Sequence, residues 1–226
     1  MEFGKRGTGW HDGGMNLLSL LFQDPLLFFV VISVFLLALS IHEFSHALAG
    51  YLLGDLTAKR MNRLTLNPLA HVDVLGFLAL ITVGFGWGKP VPFNPFNLKY
   101  PRWGPVMIAA AGPFANLLLG TLCALLYRFL LPSLGEGNLL TLFLSYSAYL
   151  NYLLMIFNLI PVPPLDGSKA LIAILAAPSY RSVREFIETK GPFILIGLIL
   201  VDSFLPFSVF SWIGHWAASL VELIAH

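Results

Sequence analysis

Residues 25–53 read PLLFFVVISVFLLALSIHEFSHALAGYLL, an apolar run long enough to cross a bilayer as one helix. Within residues 25–54 one side chain is formally charged, Glu43, and it lies inside His42-Glu43-Phe44-Ser45-His46. Two histidines four residues apart project from one face of a helix, so His42 and His46 can converge on a single metal ion. Glu43 follows about 100° round the helix, placed to act as a general base toward water rather than as a ligand. In hydrocarbon, each such group without a partner costs several kcal/mol, so ionisable side chains at this depth mark a functional site. The plainer alternative is a polar contact between packed helices.

The composition agrees with a membrane chain. Of 226 residues 57% are hydrophobic and 11% charged, against about 25% charged in a soluble domain. The expected class is an all-α polytopic membrane protein with about five to six membrane helices and a short re-entrant β-hairpin. A formal net charge of +1 and the lack of a long basic run leave no footprint for nucleic acid. The single cysteine, Cys123, excludes an intramolecular disulfide and a cysteine metal cluster. Lys5 and Arg6 precede the apolar stretch in the manner of a signal peptide, but the run is too long and no small-residue cleavage site follows. It is expected to be a retained transmembrane helix.

Upstream, residues 1–24 read as a flexible glycine-rich tail with an amphipathic lead-in, in which His11 is solvated. Downstream, residues 54–70 are polar and basic, and turn signals lead to His71 and Asp73. That pair is read as a local hydrogen-bonded pair, with a ligand role as the alternative. The apolar run at 74–85 has twelve residues, short for a span and suited to re-entry or the interface. Glycine then alternates with large residues through Gly84, Gly86 and Gly88 before Lys89-Pro90-Val91-Pro92, a composition favouring extended backbone. Such backbone at membrane depth must line protein or a cavity. A short hairpin fits, and its open edge can receive an extended peptide by strand addition.

Residues 105–131 and 139–160 give two further spans. Gly112, Asn116 and Gly120 repeat at four-residue spacing in the first, a stripe along which another helix approaches; Asn116 is read as packing glue, with a place at the active site as the alternative. Prolines 161, 163 and 164 end the second span and lead to Leu165-Asp166-Gly167. Apolar character resumes at 171–177, so Asp166 is expected at a break still within the membrane boundary, where it needs a cation; capping the next helix is its other reading. Residues 178–190 are polar, and apolar segments at 193–201 and 205–225 follow, with Asp202, Ser203 and Pro206 marking the turn. His215 reads as a helix-face residue and His226 as a frayed terminus. The expected organisation is a tail over 1–24, a membrane core holding the metal motif over 25–175 and membrane helices over 176–226.

A catalytic zinc site takes three N or O ligands and keeps one position open. His42, His46 and Asp166 supply them. With these residues in place, the chain resembles the site-2 protease family of intramembrane zinc metalloproteases. The resemblance rests on His42 to His46 within a membrane helix, on the Asn158 to Gly167 stretch with its spaced prolines and Leu-Asp-Gly, on residues 84–92, and on Gly112-Pro113 through Asn116. It covers roughly residues 28–175. It implies one zinc ion on His42, His46 and Asp166, Glu43 as catalytic base, and Asn158 as the group steadying the oxyanion. It further implies a transmembrane-helix protein as substrate, which must unwind locally to be cut, and a multi-pass place in the inner or plasma membrane of a prokaryote. The compact members, without PDZ or CBS domains, are the most similar. A metal-ion transporter, expected to carry polar groups through several spans, and a catalytically silent substrate-binding relative are the competing functions.

Overall fold

The computed structural model describes residues 17–202 and 210–225. The expectations for the 1–16 tail with His11, for Ser203 and Pro206, and for His226 fall outside the described residues. Helix α1 (Leu17–Gln23) leads into α2 (Pro25–Leu52). Asp24 fixes the start of α2: its side chain accepts from Leu27 N at 3.0 Å, and Pro25 follows at a position where a missing N–H costs nothing. After α2 come a single turn, α3 (Thr57–Arg60), and the short apolar α4 (Val74–Val83). Asp73 caps α4 by accepting from Gly76 N at 2.8 Å, and Gly84, at φ +80°, ends it. The long helices α5 (Gly104–Leu134) and α6 (Leu139–Asn158) follow, then α7 (Gly167–Ile174), α8 (Arg181–Asp202) and α9 (Ser211–Ala225). The polar stretch 178–190 and the apolar stretch 193–201, separate in the sequence reading, largely share α8, which carries Pro192 inside it.

Helices α2, α5 and α6 pack on one another, and α9 lies against α5 and α6. The seam is made of small and aromatic residues: Ala124, Ala148, Tyr152, Ala217 and Val221 are wholly buried, with Cys123 among them. Gly120 is the point of close crossing, because a Cβ there would stand 3.0 Å from the Tyr152 ring. A second cluster, Leu17, Leu20, Phe28, Val31 and Leu80, ties α1 and α4 to the first half of α2.

Among the described residues, α2, α5 and α6 are long and apolar enough to cross a membrane. With ten residues, α4 extends only about 15 Å, half a hydrocarbon core. The chain then turns back along it. Lys89 N donates to His71 O at 2.8 Å, and Val72 and Gly88 form one isolated antiparallel bridge. That bridge stands where a hairpin was expected, and among the described residues there is no sheet. Glycine explains the packing. A Cβ on Gly76 would lie 2.1 Å from Trp87 O, and one on Gly86 would lie 2.4 Å from Gly76 O. The extended segment therefore packs on the face of α4, and its strand-like pairing is limited to the bridge with Val72. Further on, Lys99 N donates to Leu53 O at 2.9 Å, so residues 53–99 leave the end of α2 and return to it.

Candidate metal centre

Helix α2 carries His42 and His46 on the face turned toward α5, and both are buried. Helix α5 comes close enough because residue 112 is glycine: a Cβ there would stand 2.5 Å from His46 Nε2 and 2.7 Å from His42 Cε1. The third member, Asp166, arrives from the loop between α6 and α7. It occupies the position before α7, yet its side chain makes no capping bond. Its Oδ2 lies 3.1 Å from His42 Nε2 and 3.3 Å from His46 Nε2, and the two Nε2 atoms are 2.9 Å apart. Gly167 allows the loop to fold this tightly, since a Cβ there would meet Leu159 O at 2.2 Å.

The protons on the imidazoles follow from what each ring faces on its other side. His46 Nδ1 lies 2.7 Å from Ile108 O, a carbonyl that can only accept, so Nδ1 carries the proton. His42 Nδ1 lies 2.5 Å from Asn116 Oδ1. The Asn116 amide is oriented by its nitrogen, which donates to Asn151 Oδ1 at 2.7 Å and to Ala38 O at 3.3 Å. Both Nε2 atoms thus present lone pairs to each other and to Asp166 Oδ2, a buried oxygen that has no hydrogen-bond partner among the described residues. Three acceptors turned inward on one point repel one another unless a cation sits among them. A tetrahedral zinc with bonds of about 2.0–2.1 Å holds its ligand atoms roughly 3.3 Å apart, close to the observed spacings. The residues fit the metal.

Glu43 is buried on the same helix and stands outside the group of converging ligand atoms. Its Oε2 accepts from Val91 N at 3.2 Å, so the extended segment returning from α4 passes directly over the carboxylate. Asn158, at the end of α6, donates from its amide nitrogen to Leu154 O at 3.0 Å, back into its own helix. The structure thus joins His42, His46 and Asp166, sets Glu43 beside them, and leaves Asn158 bonded locally.

His71 and Asp73 do not pair as expected. Asp73 caps α4, while His71 Nε2 donates to Thr65 O at 2.7 Å and its Nδ1 faces Arg63 Nη2 at 3.4 Å. Arg63 is buried and also donates to Lys89 O, pinning the extended segment. Asp55, equally buried, accepts from Thr57 N, Thr57 Oγ1, Asn97 Nδ2 and Asn94 N, fastening the far end of that segment to α2. Neither role had a local signal in the sequence, since both partners lie more than twenty-five residues downstream.

Comparison with known proteins agrees with this geometry. The model of "Peptidase family M50" matches residues 133–201. YwhC of Bacillus subtilis, named as a candidate zinc metalloprotease, is 34% identical over 197 residues, 84% of this chain and 88% of its own. The chain belongs to peptidase family M50, the site-2 proteases. It is a zinc metalloprotease. Two further relatives, both named Rip2 and both candidate zinc metalloproteases, come from Mycolicibacterium smegmatis and Mycobacterium tuberculosis. The first is 33% identical over 77% of this chain and 67% of its own, the second 28% over 75% and 66%. No solved structure matches the chain. With three helices able to span, the M50 assignment describes a membrane protein with bacterial relatives.

Proposed function

We propose that this protease hydrolyses peptide bonds within or beside transmembrane segments of membrane proteins, using His42, His46 and Asp166 to hold zinc and Glu43 as general base. The observation that carries the reading is the convergence of three acceptor atoms, within 3.3 Å of one another, two of them on a helix long and apolar enough to cross a membrane. Zinc held there supplies Lewis-acid polarisation of water and of the scissile carbonyl. The chain's own residues do the rest. Glu43 takes a proton from the attacking water and returns it to the leaving amine, its carboxylate oriented by the Val91 N–H. Asn158 keeps one amide hydrogen beyond its bond to Leu154, available for the developing oxyanion; such donors are worth about 3 kcal/mol in other hydrolases.

The short α4 enters the membrane and returns with the extended segment, whose uncovered edge pairs with the unwound substrate. The protein is multi-pass in the inner or plasma membrane of a prokaryote, and α8 and α9 complete the count of five to six membrane helices. Glu43→Gln keeps the side chain's size and removes the base. It should retain zinc and fold while lowering cleavage by at least about 100-fold, the low end for an acid–base group. Zinc content and cleavage of a labelled single-span helix, read on the same purified sample, test this. Near-parental cleavage by Glu43→Gln, or a parent that binds no zinc, ends the assignment.

A further inference from the structure

We propose that Asn116 is a positioning residue for the metal centre, fixing the tautomer and ring plane of His42 with Asn151 as its own support. The inference rests on the reading of His42, His46 and Asp166 as zinc ligands. A continuous hydrogen-bonded chain carries it: His42 Nδ1 to Asn116 Oδ1 at 2.5 Å, Asn116 Nδ2 to Asn151 Oδ1 at 2.7 Å, and Asn151 Nδ2 to Ser147 O at 2.8 Å. It crosses all three long apolar helices, and Asn116 and Asn151 are 0% and 1% exposed.

The direction of the chain is what matters. An imidazole has two equivalent ways to lose its proton, and only the Nδ1–H form turns an Nε2 lone pair toward His46 and Asp166. For His46 a backbone carbonyl, Ile108 O, imposes that form. At His42 Nδ1 the side-chain amide of Asn116 takes the place that a backbone carbonyl holds at His46. An amide can turn over and offer nitrogen instead. Two acceptors hold it: Ala38 O and Asn151 Oδ1, the second oriented in turn by its bond to Ser147 O. Outer partners of metal-bound histidines typically contribute 10–100-fold in metal affinity or activity.

A purely structural role for Asn116, joining α2, α5 and α6, makes a different prediction, and two variants separate them. Asn116→Leu removes the acceptor while keeping the branched outline of four side-chain heavy atoms. Asn116→Asp keeps an acceptor for His42 Nδ1, the carboxylate–histidine–metal arrangement, but removes the donor to Asn151. Positioning predicts that Asn116→Leu loses about 10–100-fold in zinc affinity and changes the visible absorption of the cobalt-loaded protein, while Asn116→Asp binds zinc and gives a cobalt spectrum close to the parent's. Helix packing alone predicts that both variants lose thermal stability while zinc affinity and cobalt spectrum stay parental in whatever is folded. Zinc titration, cobalt spectra and thermal unfolding in detergent read all three. If Asn116→Leu does not fold, Asn151→Leu carries the test, with a smaller loss expected because Ala38 O still holds the amide. Parental affinity and spectrum in either folded Leu variant overturns the proposal. A parent that binds no zinc, or a His46→Ala variant that binds it as the parent does, instead overturns the ligand assignment on which it rests.

Discussion

At the scale of single residues, the centre is an arrangement of acceptors made compact by missing side-chain atoms. Gly112 is the clearest case, because the imidazoles of His42 and His46 fill the space its Cβ would take. Overpacking a filled site costs about 1–3 kcal/mol, equivalent to roughly 5–150-fold in an equilibrium constant. Gly112→Ala should therefore weaken zinc binding within that range, and a zinc titration of parental affinity would contradict the assigned close approach. The four-residue spacing of His42 and His46 was legible in the sequence because helical geometry is local. Asp166 was legible as a lone charge at a helix break within the membrane boundary, in need of a cation. Asn116 was not placed, since its bond to His42 joins residues 74 apart, and nothing in the stripe Gly112, Asn116, Gly120 tells packing from positioning.

Asp55 carries a second consequence at this scale. Burial pushes its carboxyl up, but hydrogen bonds from Thr57, Asn97 and the Asn94 backbone outweigh burial and hold it below the usual carboxylate range. A folded-state value below the unfolded one, about 3.9, gives stability that is fully present above the unfolded value and is lost as pH falls through the folded one. Asp55→Asn should thus lower the melting temperature at pH 7 and flatten the acid limb of the melting curve between neutral pH and pH 3. An acid limb as steep as the parent's would show that the ionised carboxylate does not fasten the 94–97 loop.

Among elements, α4 and the segment behind it combine a correct local reading with a partner the sequence did not disclose. Alternating glycines and the Lys89-Pro90-Val91-Pro92 run indicated extended backbone, and residues 85–94 are not helical. A hairpin was the natural expectation because strands ordinarily pair with strands. Here the glycine at 76 opens the face of α4 to the Trp87 carbonyl, a contact that depends on tertiary packing and leaves no period in the sequence. Gly76→Ala should push the segment off α4 and move Val91 N away from Glu43. Zinc content should stay parental, cleavage should fall, and amide exchange at Lys89 and Val91 should quicken. Unchanged exchange with unchanged cleavage would mean that the segment does not depend on this contact.

For the whole molecule, topology follows from two closures and one meeting point. The bond from Lys99 N to Leu53 O sets the end of α2 and the approach to α5 at one level, and the bond from Lys89 N to His71 O closes the excursion through α4 inside it. Asp166 reaches His42 and His46 within the last eleven residues of α2, so the end of α6 lies toward the same face. Alternate crossing by α2, α5 and α6 would then put residues 53–103 on the same side as the loop at 159–166. That side holds Lys59, Arg60, Arg63, Lys89, Lys99 and Arg102, while the opposite connection between α5 and α6 carries Glu136 and has Arg128 in the last two turns of α5. By the positive-inside rule the basic side is expected to face the cytoplasm. With Cys123 replaced by alanine, single cysteines at Lys59, Lys99 and Lys169 should react with a membrane-impermeant thiol reagent only after inverted vesicles are used or cells are opened. A cysteine at Glu136 should react in intact cells. Labelling of Lys59 and Lys99 positions from opposite faces would require α4 to cross the bilayer, which its length of about 15 Å does not allow without pulling His71 from Lys89.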